Sequence, residues 1–269
     1  MHSFSLKCFG VGDGWPCALR HHSAFLYRFG KVTLLIDCGE PVSGAFKATG
    51  LDYDAIDRIF ISHLHFDHLG GFFMLMQGFW LEQRQKDVFV HLPAAGIGPI
   101  RQMLDTGCIF DELLPFRLEL TPLVLGEPVI THNVRVTPYR ASHLDSLQTA
   151  FHKKYPAASY AAFCFLLESD RLRIGHSADI GAPEDLAPLV RQPLDLLVCE
   201  IAHCQPADLF EYLKGRRIKR IVFIHLARRH WDNLEETRAL AAKILGRIPF
   251  VFAHNGEEIT LQTQPPVGR

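Results

Sequence analysis

Residues 60–72 read FISHLHFDHLGGF, which puts three histidines and an aspartate (His63, His65, Asp67 and His68) within six positions. An apolar run leads in and Gly70-Gly71 follows. At the end of an extended strand, residues i and i+2 share a face, so His63 and His65 aim at one point. Asp67 and His68 then fall in the turn and reach a second point nearby, while Leu64 and Phe66 are expected to alternate into the packing. A lone histidine here would read as a surface residue on a polar loop. HxHxDH between an apolar strand and a Gly-Gly helix start reads as a metal-binding turn.

Four donors from one turn cannot close two metal sites, because each ion needs about four ligands. The missing donors are expected directly after other β-like runs. His143 follows NVRVTPYRAS, Asp179 follows RLRIGHSA, His225 ends KRIVFIH and Asp37 ends VTLLID. His132, His152, Asp170 and His254 also lie near strand ends, and 15 histidines give coincidence many openings. Order and local setting favour the first four.

The strands themselves are legible as SLKCF (5–9), AFLYRF (24–29), VTLLID (32–37), RIFIS (58–62) and VFVHL (88–92). Near-continuous apolar runs such as VTLLID suit strands buried on both faces. FFMLMQGFWLEQRQK after Gly71 is long enough for a helix, and its aromatics read as core. The Pro-rich, β-branched stretch 116–139 predicts antiparallel strands with turns. Further strands fall at 161–176, 194–200, 219–225 and 248–254, with helices at 183–190, 206–214 and 232–246. Asp232 and Asn233 offer a capped start for the last helix. This order predicts an α/β (α+β) chain of two packed sheets with helices outside. No sequence repeat is evident.

Composition bounds the function. The 269 residues are 48% hydrophobic and 21% charged, which fits one globular domain over 1–269. A formal charge of −1 gives no general attraction to nucleic acid or anionic membrane. Seven cysteines with no CxxC pair suit reduced thiols rather than a disulfide framework. With no signal peptide and no apolar run of about 20 residues, the expectation is a cytoplasmic protein with no membrane partner. A homodimer stays open.

FISHLHFDHLGG resembles the signature of the metallo-β-lactamase superfamily, specifically its binuclear hydrolases, and the likeness spans about residues 5–256. It implies the four-layer αββα sandwich, with a metal cleft at one edge of the paired sheets. His63, His65 and His143 would hold one ion, and Asp67, His68 and His225 the other, with Asp179 bridging them and Asp37 in support. Zinc suits this imidazole and carboxylate set, while manganese or iron tolerate it. Two such divalent ions about 3.5–4 Å apart share a water and lower its pKa, which predicts hydrolysis by a bridging hydroxide.

Within that superfamily, β-lactamases usually carry cysteine where this chain has Asp179. Glyoxalase II-type thioesterases carry a GHTxG-like context where this chain reads RASHLDS. The wording is closer to the ribonuclease Z and phosphodiesterase branch. GVGDG near the start resembles its Gly-rich opening, although a tight turn would read the same way. DLLVCEIAH (195–203) resembles its strand ending on a glutamate. Glu200 would orient an imidazole, and His203 would protonate an alkoxide leaving group. Together with Asp67 these form the expected catalytic set.

The Gly-His-Ser-Thr element of ribonuclease Z and a Gly/Lys-rich arm for tRNA are both absent. A small anionic phosphodiester, cyclic or linear, is therefore the expected substrate, with extended nucleic-acid binding disfavoured. The alternatives are a thioester or other ester hydrolase on the same ions, and a non-catalytic metal-dependent binding protein. SLQTAFHKKYP (146–156) is expected as a loop beside His143, where His152, Lys153 and Lys154 could meet an anion. The arginines of RRH (228–230) could clamp phosphate.

Overall fold

In a computed structural model, which describes residues 4–261, the first sheet opens as an antiparallel meander of β1 (Phe4–Gly10), β2 (Ala24–Phe29) and β3 (Val32–Ile36). The chain then runs through α1 (Val42–Lys47) to β4 (Arg58–Phe60), which pairs with β3 in parallel. After α2 (Phe66–Leu69) and α3 (Phe72–Leu81) comes β5 (Val88–Leu92), and after α4 (Ile97–Thr106) comes β6 (Leu118–Pro122), both parallel additions. Parallel neighbours need crossovers, and these helices supply them.

The second sheet repeats this plan. β7 (Val129–Thr131), β8 (Val134–Ala141), α5 (Asp145–Phe151), β9 (Ala162–Glu168) and β10 (Arg173–His176) give four antiparallel strands. Then α6 (Ala187–Val190), β11 (Leu196–Glu200), α7 (Pro206–Leu213), β12 (Ile221–Ile224), α8 (Arg228–Asp232), α9 (Leu234–Leu245) and β13 (Phe250–Phe252) extend it in parallel. β14 (Glu258–Leu261) returns to the first sheet beside β1. The two halves are alike in plan without a sequence repeat.

The burial pattern explains the layers. Every residue of LLVCE and IVFI is buried, as strands covered on both faces require. Between the sheets, Leu6, Tyr27 and Leu34 meet Phe165, Leu196 and Val222. α3 closes the outer face of the first sheet through Phe72, Leu75, Met76 and Phe79. α7 and α9 close the second through Leu209, Phe210, Ala241 and Leu245. Each such side chain contributes roughly 1.5–3 kcal/mol of transfer free energy. The result is the expected four-layer αββα sandwich.

Several local expectations change. The stretch 116–139 is not one antiparallel unit: β6 pairs in parallel with β5, because α4 crosses over first. Gly98 and Pro99 in its first turn hide α4 from a propensity reading. Residues 145–151 form a helix, not a loop, with no buried residue to mark its face. The start of α9 has no side-chain cap, since Asn233 donates to the Arg229 carbonyl instead. The single domain expected over 1–269 runs past the described residues at both ends.

Candidate metal centre

Three strands end with an uncommon turn. Asp37 after β3, Ala178 after β10 and His225 after β12 have positive φ, at 60°, 44° and 47°. Non-glycine residues seldom adopt this conformation, and its cost is tolerated where a side chain must be re-aimed. All three turns lie at the same edge, where the chain also leaves β4 for Ser62 and His63.

Seven predicted donors converge there. Asp179 Oδ2 lies 3.3 Å from His225 Nε2, 3.7 Å from His143 Nε2 and 3.8 Å from His63 Nε2. His143 Nε2 is 3.3 Å from His65 Nδ1. His68 Nε2 lies 3.2 Å from Asp179 Oδ1 and 3.4 Å from Asp67 Oδ2, which is 3.8 Å from His225 Nε2. Donor atoms of His63, His65 and His143 thus make one group, and those of Asp67, His68, Asp179 and His225 another.

The chemistry of these atoms fits cations. Metal–nitrogen bonds of about 2.0–2.1 Å on a tetrahedron set neighbouring donors about 3.3 Å apart, close to several of these separations. His63 Nε2, His68 Nε2 and Asp179 Oδ1 are buried without a hydrogen-bond partner, which is costly unless something else takes the lone pairs.

The outward nitrogens are engaged. His68 Nδ1 is 2.7 Å from Asp37 Oδ2, His63 Nδ1 is 3.1 Å from Ser62 Oγ, and His225 Nδ1 is 3.0 Å from Ser23 Oγ. Asp37 also accepts from the Ser62 amide and hydroxyl at 2.7 and 2.9 Å. With Nδ1–H donated outward, the Nε2 lone pair faces the centre.

Burial holds His63 and His65 below the usual imidazole range and lowers His143 to about 4. Such groups are neutral donors at pH 7. Burial would raise the Asp67 and Asp179 carboxyls, but the surrounding imidazoles outweigh it and lower both.

Beside this cluster stand Glu200 and His203. Glu200 is fully buried and accepts from the Ile180 amide at 2.9 Å and the His203 amide at 3.0 Å. His203 Nδ1 lies 2.9 Å from Glu200 Oε1, and its ring centre is 4.3 Å from that of His143. Burial opposes protonation of His203, yet the Glu200 hydrogen bond and charge outweigh it and raise the pKa to about 9.

Asp185 gave no sequence signal. Its Oδ2 accepts from the Ser142 amide and hydroxyl and from the Gly181 amide, each at 2.9 Å. It thereby ties the turn before His143 to the turn after Asp179. A Cβ on Gly181 would sit 2.5–2.7 Å from Ser142, so only glycine lets these turns meet.

Other expectations fall elsewhere. His152, Lys153 and Lys154 lie at and beyond the end of α5, with His152 against Tyr160 and Lys154 over Tyr155, outside the donor cluster. His132, Asp170 and His254 are outside it too. His21 and His22 bond to the carbonyls of Phe9 and Asp13, and so pin the GVGDG turn. Phe66 is 83% exposed and does not enter the packing. All seven cysteines are free, and among the described residues no helix is long and apolar enough to cross a membrane.

Comparison with known proteins returned a family profile, described as anti-Pycsar protein Apyc1, that matches residues 4–208. A ribonuclease Z from Bradyrhizobium sp. (strain ORS 278) is 29% identical over 154 residues, 57% of this chain and 51% of that protein. The chain spans about half the length of the ribonuclease Z sequences it matches in this way. The metallo-β-lactamase fold protein YhfI from Bacillus subtilis superposes with a TM-score of 0.77 at 15% identity, covering 96% of this chain and 99% of that one. The short form of human tRNase Z gives 0.70 at 18% identity, covering 95% and 98%.

Proposed function

The chain belongs to the anti-Pycsar protein Apyc1 family, within the ribonuclease Z and phosphodiesterase branch of the metallo-β-lactamase superfamily, and on that premise we propose that it is a binuclear metal-dependent phosphodiesterase for small phosphodiesters, cyclic or linear. The observation that carries this reading is the convergence of seven donors, three with buried unpartnered atoms, beside a histidine held by a buried glutamate.

His63, His65 and His143 would hold one divalent ion, Asp67, His68 and His225 the second, and Asp179 both; zinc suits the set best. Bound, the pair supplies Lewis acidity and a water of lowered pKa. The chain's own groups do the rest. Glu200 accepts the Nδ1–H of His203 and fixes its ring, which leaves Nε2 free to carry a transferable proton. As the phosphorus–oxygen bond to the alcohol breaks, His203 Nε2–H gives its proton to the departing alkoxide, and water completes the monoester. Asp67, less enclosed than Asp179, would take the proton of the attacking water.

An alkoxide needs this proton far more than a thiolate does, so the Glu200–His203 pair favours a phosphodiester over a thioester. On this reading residues 1–269 are one hydrolase domain. The net charge of −1 supports a small ester over a long nucleic-acid strand.

The test is a panel with zinc-replete protein. Turnover of bis-p-nitrophenyl phosphate without turnover of S-lactoylglutathione is expected. The reverse pattern overturns the phosphodiester reading, and two bound metals with no ester cleaved overturns catalysis.

A further inference from the structure

A second cleft, of about 520 Å³, lies on the outer face of the first sheet, between α1 and strands β1, β2 and β14. None of its lining residues belongs to the donor cluster. Its volume is that of a small-molecule site.

The space comes from a mismatch of side-chain length. α1 seals the sheet through the buried Val42 and Phe46, and Phe46 meets Phe9 edge-on with ring centres 6.4 Å apart. Phe9 and Leu26, both buried, form the floor of the cleft. Above them α1 and the residue that ends it place Ala45 and Ala48, whose methyls are too short to fill the gap. α3 closes its part of the same layer with Phe72, Leu75, Met76 and Phe79 and leaves no such gap. The His21 amide, bonded to Asn255 Oδ1 at 3.2 Å, ties together the residues that close one end.

Two cations border this apolar floor. Lys7 of β1 is paired with Leu26, and Arg28 of β2 with Ser5, so the two are diagonal neighbours on one face. Lys7 is half-buried and stands across the other ladder from Glu258. Even so, among the described residues no carboxylate oxygen lies within 4.0 Å of Lys7 or Arg28, and neither side chain makes a hydrogen bond. A lysine and an arginine against one glutamate leave a single positive charge beside dry surface.

The geometry points to a binding site for a small amphipathic carboxylate, with its head between Lys7 and Arg28 and its apolar body on Leu26 and Phe9. The head gains charge-assisted hydrogen bonds, and the body removes the floor from water. One net positive charge suits a monoanion, whereas Glu258 opposes a phosphate dianion. The site is separate from the metal centre and from its reaction.

Octanoate, butanoate and octyl phosphate are titrated calorimetrically into the zinc-loaded full chain. Octanoate should bind at least tenfold tighter than butanoate, since each methylene placed on the floor contributes about fourfold. Ala48→Leu fills the gap without removing a charge and should weaken octanoate at least tenfold. Lys7→Met keeps bulk, loses the charge and should weaken it at least fivefold, while Lys7→Arg retains binding. Circular-dichroism spectra and zinc content should be unchanged in all three variants. No octanoate binding, or binding that Ala48→Leu or Lys7→Met leaves intact, overturns the site. Octanoate binding that disappears when zinc is removed from the wild type places the carboxylate on the metal and overturns it too. Octyl phosphate binding tighter than octanoate overturns the monoanion assignment. No ester cleavage is read, so this result and that of the hydrolase panel stand apart.

Discussion

At His68 the two ring nitrogens have different tasks. Nδ1 meets the buried Asp37 carboxylate at 2.7 Å, and Nε2 faces Asp67 and Asp179 without a hydrogen-bond partner. His68→Ala removes a donor and leaves Asp37 buried with one partner fewer. Activity on bis-p-nitrophenyl phosphate should fall by more than the roughly 10–100-fold that losing a ligand's outer partner costs. Bound zinc should drop below two per chain by elemental analysis, with the circular-dichroism spectrum retained; wild-type rates in this variant would refute the assignment. At His203 the readout is the leaving group. With Glu200 fixing Nδ1, His203→Ala should slow an alkyl phosphodiester by about 10²–10⁴-fold while slowing a p-nitrophenyl ester much less, because p-nitrophenolate departs without a proton. Equal slowing of both esters argues that His203 positions substrate instead.

At the level of elements, the centre depends on turns that follow strands, and these differ in how visible they are in sequence. HxHxDH is contiguous, so strand alternation and a Gly-Gly helix start expose it directly. Asp37, Asp179 and His225 can be sought because each ends an apolar run. Asp185 has no such mark: its partners Ser142 and Gly181 lie 43 and 4 residues away, and only the folded turns bring them to one oxygen. Ser23 supports His225 from 202 residues away and is equally silent. α5 escaped notice because an element with no buried face leaves no hydrophobic period. The parallel pairing of β6 was hidden because strand propensity carries no direction. Asp185 therefore offers a test of turn coupling. Asp185→Ala leaves the Ser142 and Gly181 amides without their acceptor and frees the His143 and Asp179 turns from each other. Zinc affinity should weaken about 10–100-fold, the scale for supports behind a ligand, with Asp185→Asn milder because its carbonyl still accepts. Unchanged zinc affinity in Asp185→Ala would show that each turn is rigid by itself.

For the molecule as a whole, the donors divide between the two sheets. His63, His65, Asp67 and His68 leave the first sheet after β4, whereas His143, Asp179 and His225 follow β8, β10 and β12 of the second. Ions held at this edge would join two layers that otherwise meet through apolar contacts such as Leu34, Phe165 and Val222 and a few hydrogen bonds such as Ser23 to His225 and Tyr27 to His176. A ligand that binds only the folded state stabilises it by RT ln(1 + [L]/Kd), about 4 kcal/mol when free metal is 1,000 times Kd. For a domain of this size that corresponds to a rise in melting temperature of roughly 8–16 °C. Stripping the protein with a chelator should lower the midpoint by such an amount, and zinc should restore it. Imidazole and carboxylate donors bind metal only when deprotonated, so protons compete with the ion. The gap between loaded and stripped melting temperatures should therefore narrow as pH falls from 7 toward 5. Calorimetric scans of both forms across that range decide the matter: a midpoint indifferent to chelation at pH 7 would mean that the sheets hold their edge together by packing and hydrogen bonds without metal, and that the seven donors carry no stabilising ion.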